Sequence, residues 1–259
     1  MKSNKSNIRD FTHFSPNEYL NEYYHSVFSE NDKLLHFLAS VAEVVPQGST
    51  LLEYGGGPTI YQIISFAPRV STIHFTDYLP ENIEAVQDWL NTEAHAHDWK
   101  PFVDVALQHE GIKEPTNLQI EERENLVRKQ LHSFGHVDAF NIKNDNVKHQ
   151  AYDVVSANFV AESIAFDDIS WRAGLDSILS YVKPGGLLSM TAIRGATYWM
   201  TGNKKFPAYY VDAKSLNDEL TLRGYEIQML TEIDAEITDV NHQNYEGYDG
   251  MVFLLAKKK

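Results

Sequence analysis

The chain has 259 residues, 43% of them hydrophobic and 12% aromatic, which is enough material for one sizeable hydrophobic core. Thirty-six acidic against 22 basic residues give a formal net charge of −14, which disfavours nonspecific binding to nucleic acid or to an anionic membrane. The lack of cysteine excludes disulfides, thiolate zinc sites and cysteine nucleophiles. No stretch has the pattern of a signal peptide or a membrane span, so we expect a cytoplasmic protein.

The first part of the chain alternates between helical and extended patterns. Apolar residues at three- and four-residue spacings predict helices, and short apolar runs bounded by turn residues predict strands. The pattern predicts helices over 11–46, 59–67 and 80–90, and strands over 51–54 and 70–76.

The second part continues the alternation. Helices are predicted over 120–133 and 171–182, and strands over 152–157, 187–193, 226–230 and 250–256. The last two strands are expected to form an antiparallel edge, and Lys183-Pro184-Gly185-Gly186 to form a turn. Such alternation predicts an α/β fold, with a mostly parallel sheet covered by helices on both faces. We expect a single domain over residues 1–259, with an N-terminal helical lid over residues 11–46.

A glycine-rich loop carries the clearest chemical signal. Gly55-Gly56-Gly57 follows an apolar strand, and Asp77 ends the next strand about 20 residues on, where a carboxylate can bind ribose hydroxyls. Ile60 occupies the position of the third glycine of a dinucleotide fingerprint, and no lysine follows the loop as in a P-loop. Glu53, just before the glycines, would repel phosphate. The loop therefore suits an adenosyl ligand without a pyrophosphate; a glycine turn that binds nothing is the alternative.

Several short sequence motifs along the chain form a recognisable set. They are Phe14-Ser15-Pro16 with Tyr19-Leu20 and Tyr23-Tyr24, GGGPTIYQ over 55–62, Thr76-Asp77-Tyr78 with Asn82, Asp98-Trp99-Lys100-Pro101, and Lys183-Pro184-Gly185-Gly186 followed by Tyr198, Met200, Gly202 and Lys205-Phe206. In these strings the chain resembles the class I S-adenosylmethionine-dependent methyltransferases, and within them the nicotinamide, phenylethanolamine and thioether methyltransferase family. The resemblance covers nearly the whole chain and is weakest over 103–136. It implies a Rossmann-like fold and S-adenosylmethionine as cofactor.

The resemblance and the glycine loop together indicate a set of cofactor-binding residues: Tyr19, Tyr24, Glu53, Gly55, Gly56, Gly57, Thr59, Tyr61, Asp77, Tyr78, Asn82, Asp138, Ala139, Ala157, Asn158 and Phe159. Asp77 would hold the ribose hydroxyls, and Asp138 and Ala139 would flank the adenine. Tyr19 and Tyr24 would close over the positively charged sulfur, because aromatic faces attract cations. Without the resemblance, the tyrosines would be read as an ordinary amphipathic helix.

The substrate side departs from the family pattern. The acid expected six residues after Lys-Pro-Gly-Gly is Ala192 here, so Glu162 is the best candidate for a substrate-facing, catalytic carboxylate, with Tyr24 as the second catalytic candidate. Tyr198 and Trp199 are expected to form substrate-binding pocket walls. The alternatives are a solvated or helix-capping role for Glu162 and ordinary packing for the two aromatic residues. No ligand cluster completes the His95-Ala96-His97 pair, so we expect no metal.

Three functions fit these observations. The leading one is a methyltransferase that acts on a small molecule, at an amine nitrogen, by direct in-line displacement. The alternative uses S-adenosylmethionine as the sole substrate, with its own amino group displacing methylthioadenosine to give a small cyclic amino acid. The third is a nucleoside-binding module without turnover. We expect no nucleic-acid or membrane partner, and a monomer.

Overall fold

The computed structural model describes residues 11, 13–142, 147–149, 151–238, 245 and 247–259. The helices are α1 (Pro16–Tyr23), α2 (Ser29–Val44), α3 (Tyr61–Ile64), α4 (Pro80–Leu90), α5 (Lys100–His109), α6 (Asn117–Gln130), α7 (Asp168–Leu179) and α8 (Ala213–Leu222). The strands are β1 (Ser49–Tyr54), β2 (Val70–Asp77), β3 (Leu131–His136), β4 (Tyr152–Asn158), β5 (Val182–Arg194), β6 (Tyr198–Thr201), β7 (Lys204–Pro207), β8 (Tyr225–Asp234) and β9 (Gly250–Lys258). None of these helices is long and apolar enough to span a bilayer.

Seven strands form one sheet in the order β3-β2-β1-β4-β5-β9-β8, and β6 and β7 form a separate hairpin. The strands from β3 to β5 pair in parallel, while β9 is antiparallel to both β5 and β8. The predicted fold class is confirmed, including the antiparallel edge. The strand order reverses between β1 and β4, and ligands of open α/β sheets bind at such a switch point, beyond the carboxyl ends of the strands.

Two of the predicted helices have bounds in the structure that differ from those predicted. The helix predicted over 120–133 ends at Gln130, and the next six residues form β3 instead. Pairing with β2 across the sheet overrides the local helical pattern there. The helix predicted over 59–67 is only Tyr61–Ile64. The Thr59 hydroxyl and the Gln62 side chain both donate to the Gly56 carbonyl, which ties this segment to the glycine loop.

The C-terminal half also refines the predictions. Helix α7 begins at Asp168, because Asp167 caps it by accepting from the Ser170 amide at 2.8 Å. The predicted turn over 183–186 lies within β5 and shifts its register, so that Tyr152 pairs with Val182 but Val154 with Leu187. Besides β3, three features were not predicted: helices α5 and α8 and the β6–β7 hairpin.

The segment predicted as a lid has two parts in different environments. Helix α2 is a core helix, since seven of its residues are buried and Phe37 stacks on Phe253 of β9. Helix α1 buries only Leu20 of its own residues and is attached to the hairpin. The Tyr23 hydroxyl donates to the Met200 carbonyl at 2.7 Å, and the Gly202 amide donates to Glu22 Oε2 at 2.7 Å. Within the segment over residues 11–46, α1 is therefore the part that packs on the hairpin.

Candidate active site

A cavity of about 530 Å³ opens at the carboxyl edge of the sheet. This volume lies within the range of small-molecule sites. Among the described residues that line it, five carry carboxylates and none is Lys, Arg or His: the acids are Glu22, Glu30, Asp77, Asp138 and Glu236. The cavity therefore favours an occupant that carries positive charge.

The glycine loop forms one wall of the cavity, and the local geometry explains why two of its positions, Gly56 and Gly57, are glycine. A Cβ added at Gly56 would lie 2.3 Å from the Phe75 ring, so only glycine fits beneath the loop. Gly57 has a φ of +63°, a left-handed conformation that glycine adopts without strain. Its amide donates to Asp77 Oδ2 at 2.8 Å, so that the loop and the end of β2 form one unit.

Asp77 is buried and organises the neighbouring backbone. Its Oδ1 accepts from the Leu79 amide at 2.8 Å and from Asn82 Nδ2 at 2.9 Å. Burial raises the pKa of Asp77 above its ordinary value, and the hydrogen bonds from Leu79, Asn82 and Gly57 oppose that rise. A carboxylate has about four acceptor sites, so Asp77 retains acceptor capacity toward a ligand hydroxyl.

Glu53 and Ala157 lie behind the cavity wall, although both were predicted to contact the cofactor. Glu53 is fully buried, and Asn158 Nδ2, on the cavity side, donates to its Oε1 at 3.4 Å. Burial raises the pKa of Glu53 to about 8, so the carboxyl is mostly protonated at neutral pH. Ala157 is also fully buried, because side chains alternate along β4 and Asn158, not Ala157, lines the cavity.

Phe159 lies directly after β4 in an unusual conformation. Its φ is +58°, which costs a residue with a Cβ about 1–2 kcal/mol. The Phe159 amide donates to the Thr191 carbonyl at 2.9 Å, and its side chain lines the cavity. Backbone strain of this kind persists where the surroundings impose it, and it is common at functional sites.

Three tyrosines form an aromatic wall. The Tyr24 ring stacks on Tyr61 with centroids 5.2 Å apart, and the Tyr19 ring lies 5.5 Å from that of Tyr24. Burial raises the pKa of all three hydroxyls well above the ordinary value, so each stays protonated at neutral pH. Tyr24 is therefore suited to present a neutral ring and not to act as a base.

Glu162, predicted to face the substrate, is fully buried and absent from the cavity lining. Its Oε1 accepts from the Ile193 amide at 2.9 Å, which ties the turn after β4 to the end of β5. Burial raises the pKa of Glu162 to about 7. Its neighbours Ser163 and Ile193 line the cavity in its place. This corrects the prediction: the carboxyl supports the wall from behind.

Trp199 lines the cavity, whereas its neighbour Tyr198 does not. The Trp199 ring stacks on Phe206 at 4.4 Å, and its Nε1 donates to the Ser163 carbonyl at 3.2 Å. Tyr198 points to the other side of β6, where Lys205 Nζ lies 3.4 Å from its ring centroid. Alternation along the strand explains why only one of the two predicted wall residues reaches the cavity.

The histidine pair in the connecting loop has other partners. His95 Nε2 lies 2.9 Å from Asp88 Oδ2, and His97 Nε2 lies 3.0 Å from the Tyr24 carbonyl. Within the part of the chain that the structure describes, no group of three or more metal-ligating side chains is arranged to hold an ion.

The fold and the site can be compared with known proteins. The family model of the NNMT/PNMT/TEMT family matches residues 4–259. The chain belongs to this family. It is 27% identical to nicotinamide N-methyltransferase of Homo sapiens over 259 residues, covering 95% of this chain and 94% of that one. It is 28% identical to indolethylamine N-methyltransferase of Oryctolagus cuniculus over 256 residues, covering 95% and 94%.

A solved structure shares the fold of this family member. It is magnesium protoporphyrin IX methyltransferase from Synechocystis PCC 6803 with bound S-adenosylmethionine, with a TM-score of 0.60 and 10% identity, covering 97% of this chain and 95% of that one. Family membership confirms three predictions made from the resemblance: the fold, the cofactor S-adenosylmethionine and the enzyme class, an S-adenosylmethionine-dependent methyltransferase.

The cavity lining divides between two ends of the sheet. The end at β1, β2, β3 and β4 is lined by Gly55–Thr59, Asp77, Asp138 and Asn158, and we call it the cofactor half after the role that we propose for it. The end at β5, β9 and β8 is lined by Glu30, Ile193, Glu236, Tyr248 and Met251, and we call it the acceptor half for the same reason. None of the acceptor-half residues was predicted from the sequence, because they come from four separate segments that no sequence motif joins. The one available signal was an acid in the first turn of α2, which a favourable interaction with the helix dipole also explains.

Proposed function

We propose that this enzyme transfers a methyl group to the nitrogen of a small amine. The observation that carries the proposal is the cavity lining, in which five carboxylates and no basic side chain occur among the described residues. Such a lining favours a cationic cofactor and an acceptor that carries an ammonium group in solution. The names of the two relatives, N-methyltransferases of nicotinamide and of indolethylamine, support nitrogen as the acceptor atom.

The cofactor half has the groups that an adenosyl ligand needs. Asp77 would accept hydrogen bonds from the ribose hydroxyls, with Tyr78 and Asn82 beside it, and Asp138 would accept from the adenine amine. Gly55, Thr59, Tyr61 and Asn158 would surround the amino-acid part. When bound, S-adenosylmethionine supplies a methyl group on a positively charged sulfur. Tyr19 and Tyr24 would present ring faces to that charge.

The chain's own contribution to the reaction is positioning and exclusion of water. Helix α1 and the hairpin cover the cavity edge, and Phe159 and Trp199 give the acceptor apolar walls. Holding two reactants in line can supply about 7–11 kcal/mol of the barrier reduction. The acceptor binds as an ammonium, which has no lone pair, so its nitrogen must release one proton to solvent before it can take the methyl group. No side chain is assigned as the base for that proton.

Mass analysis of the nucleoside products tests the proposal. The purified enzyme is incubated with S-adenosylmethionine, with and without indolethylamine. Acceptor-dependent S-adenosylhomocysteine, together with a methylated amine, is the expected result. Methylthioadenosine formed without any acceptor would instead establish the cyclisation alternative, and tight nucleoside binding without product would show that indolethylamine is not an acceptor. Asp77→Ala serves as the control that lowers any genuine turnover. The cytoplasmic location and the monomeric state stay predictions.

A further inference from the structure

The acceptor half of the cavity lies at the end of the sheet opposite Asp77. Ile193 of β5 and Met251 of β9 are paired across the two strands, and both line the cavity. Glu236 lies two residues beyond the end of β8, and Glu30 lies in the first turn of α2. Two carboxylates therefore reach this half from elements other than β5, where Ala192 is fully buried and carries no charge.

A direct contact joins α2 to the segment before β9. The Tyr248 hydroxyl donates to Glu30 Oε2 at 2.7 Å, across 218 positions of sequence. The residue after Tyr248 is fixed to the sheet, because the Asp249 amide donates to the Arg194 carbonyl at 2.9 Å and the Asp249 carbonyl accepts from the Ala235 amide at 3.0 Å. The Glu30 carboxyl is thereby held in place at the cavity surface and not free to turn into solvent.

Among the residues that the structure describes, no cation forms an ion pair with Glu30. Burial raises its pKa; Tyr248 lowers it, the charge of Glu236 raises it, and the Glu236 backbone and Lys33 lower it. Lys33 lies one turn along α2 and is exposed, outside the cavity lining. Arg194 is bound elsewhere, because its Nη2 donates to Asp234 Oδ1 at 2.6 Å and to the Asp249 carbonyl at 2.9 Å.

We propose that Glu30, positioned by Tyr248 and reinforced by the charge of Glu236, is the substrate-anchoring carboxylate that binds the ammonium group of an arylalkylamine. The proposal rests on the proposed function and names a specificity-determining residue for it. Glu30 supplies from α2 the negative charge that Ala192 does not supply from β5. The aromatic residues Phe28, Phe159 and Trp199, which also line the cavity, suit the aryl part of such a ligand.

Calorimetry on the protein saturated with S-adenosylhomocysteine tests this inference. The probes are indolethylamine and its alcohol analogue, in which a neutral hydroxyl replaces the amine. The native protein is expected to bind the amine at least about tenfold more tightly than the alcohol, since a charge-assisted hydrogen bond is worth about 1.5–3 kcal/mol. Glu30→Gln keeps the size and an acceptor for Tyr248, and should remove that preference while alcohol binding stays within about twofold.

Two further variants separate the anchor from general effects. Asp32→Asn removes one charge from the same turn of α2, where Asp32 is exposed and its Oδ1 lies 2.9 Å from His109 Nε2, and it should leave amine binding unchanged. Tyr248→Phe removes only the positioning hydroxyl and should weaken amine binding by about threefold to tenfold. Unchanged binding of S-adenosylhomocysteine in every variant shows that the fold and the cofactor half are intact.

Equal binding of amine and alcohol by the native protein, or no binding of the amine, would overturn the inference. Undiminished amine binding in Glu30→Gln, with S-adenosylhomocysteine still bound, would overturn it as well. Failure of the proposed function has a different signature, which is methylthioadenosine as the product. If methylthioadenosine is the product and Glu30→Gln still loses amine binding, the assignment of Glu30 as the anchor holds and the proposal of methyl transfer is wrong.

Discussion

The cofactor half of the cavity is built at the carboxyl ends of four neighbouring strands, β3, β2, β1 and β4, whereas the acceptor half joins groups up to 218 positions apart. In the cofactor half, Gly57 and Asp77 are linked by a hydrogen bond between the ends of neighbouring strands. In the acceptor half, Glu30 and Tyr248 meet because α2 packs on β9, where Phe37 stacks on Phe253. The first arrangement is constrained by backbone geometry and the second by side-chain choice, so the second can change acceptor while the cofactor stays the same.

The largest expected effect is in the cofactor half, at Asp77. Asp77→Ala removes the proposed acceptor of the ribose and leaves the Gly57 and Leu79 amides without their partner. We expect the Kd for S-adenosylhomocysteine to rise by about 30- to 150-fold, which corresponds to about 2–3 kcal/mol. Calorimetry checks this, with circular dichroism to confirm that the variant is folded. An unchanged Kd in a folded variant would remove Asp77 from the cofactor half.

A second effect concerns the glycine loop. Gly56→Ala would place a Cβ 2.3 Å from the Phe75 ring, so the loop or the ring must move. Overpacking of this kind costs about 1–3 kcal/mol, and the displaced loop should bind S-adenosylhomocysteine less tightly. Urea unfolding and calorimetry measure the two losses. The double variant Gly56→Ala/Phe75→Leu should recover part of the lost stability. No recovery would show that the clash with the Phe75 ring is not the cause of the loss.

A third effect concerns Glu162, the acid behind the cavity wall, as opposed to Glu30, the acid in the acceptor half. The pKa of Glu162 is about 7 in the native state, against 4.5 in the unfolded chain, so the native carboxyl keeps its proton to a higher pH. The native state then binds more protons, so the free energy of unfolding falls as the pH rises between these values. From pH 5 to pH 8, native protein should lose about 2 kcal/mol more than Glu162→Gln. Parallel pH profiles of the two proteins would mean that burial does not perturb this group.

The smallest effect is expected at the aromatic wall. The Tyr24 hydroxyl lies 3.4 Å from that of Tyr19, a long contact, whereas the ring is stacked on Tyr61. Tyr24→Phe keeps the ring and should change the Kd for S-adenosylhomocysteine by less than about threefold. Calorimetry on Tyr24→Phe and Tyr19→Phe provides a matched pair. A tenfold loss in Tyr24→Phe alone would show that its hydroxyl, and not its ring, meets the ligand.

The parts of the fold that were predicted from the sequence are those with local signals. Strands β1, β2 and β4 are short apolar runs, and Gly55 and Asp77 mark the ends of β1 and β2. Pro80 starts α4, where its missing amide is no loss. Strand β3 was missed because residues 131–133 continue the helical pattern of α6, and only pairing with β2 makes them extended. The hairpin has its own pairing but packs on α1, far away in sequence, so no local pattern reveals it.

The same difference holds for the residues of the site: those with a local sequence signal were predicted, and the others were not. The glycine loop and Asp77 were identified because closely spaced residue types with a backbone function leave a readable string. Glu162 was misplaced because a carboxylate in the expected segment does not reveal which way its side chain points; here it points to the Ile193 amide. Glu30 was missed because an acid in a first helical turn has an ordinary explanation. Only its contact with Tyr248 distinguishes it.

One crossed binding measurement tests most directly whether the two halves act separately. The Kd values of S-adenosylhomocysteine, and of indolethylamine in its presence, are determined by calorimetry for the native protein, Asp77→Asn and Glu30→Gln. We predict that Asp77→Asn weakens the nucleoside by at least about tenfold with amine binding within about threefold, and that Glu30→Gln does the reverse. If either variant weakened both ligands to the same extent, the division of the cavity into a cofactor half and an acceptor half would be contradicted.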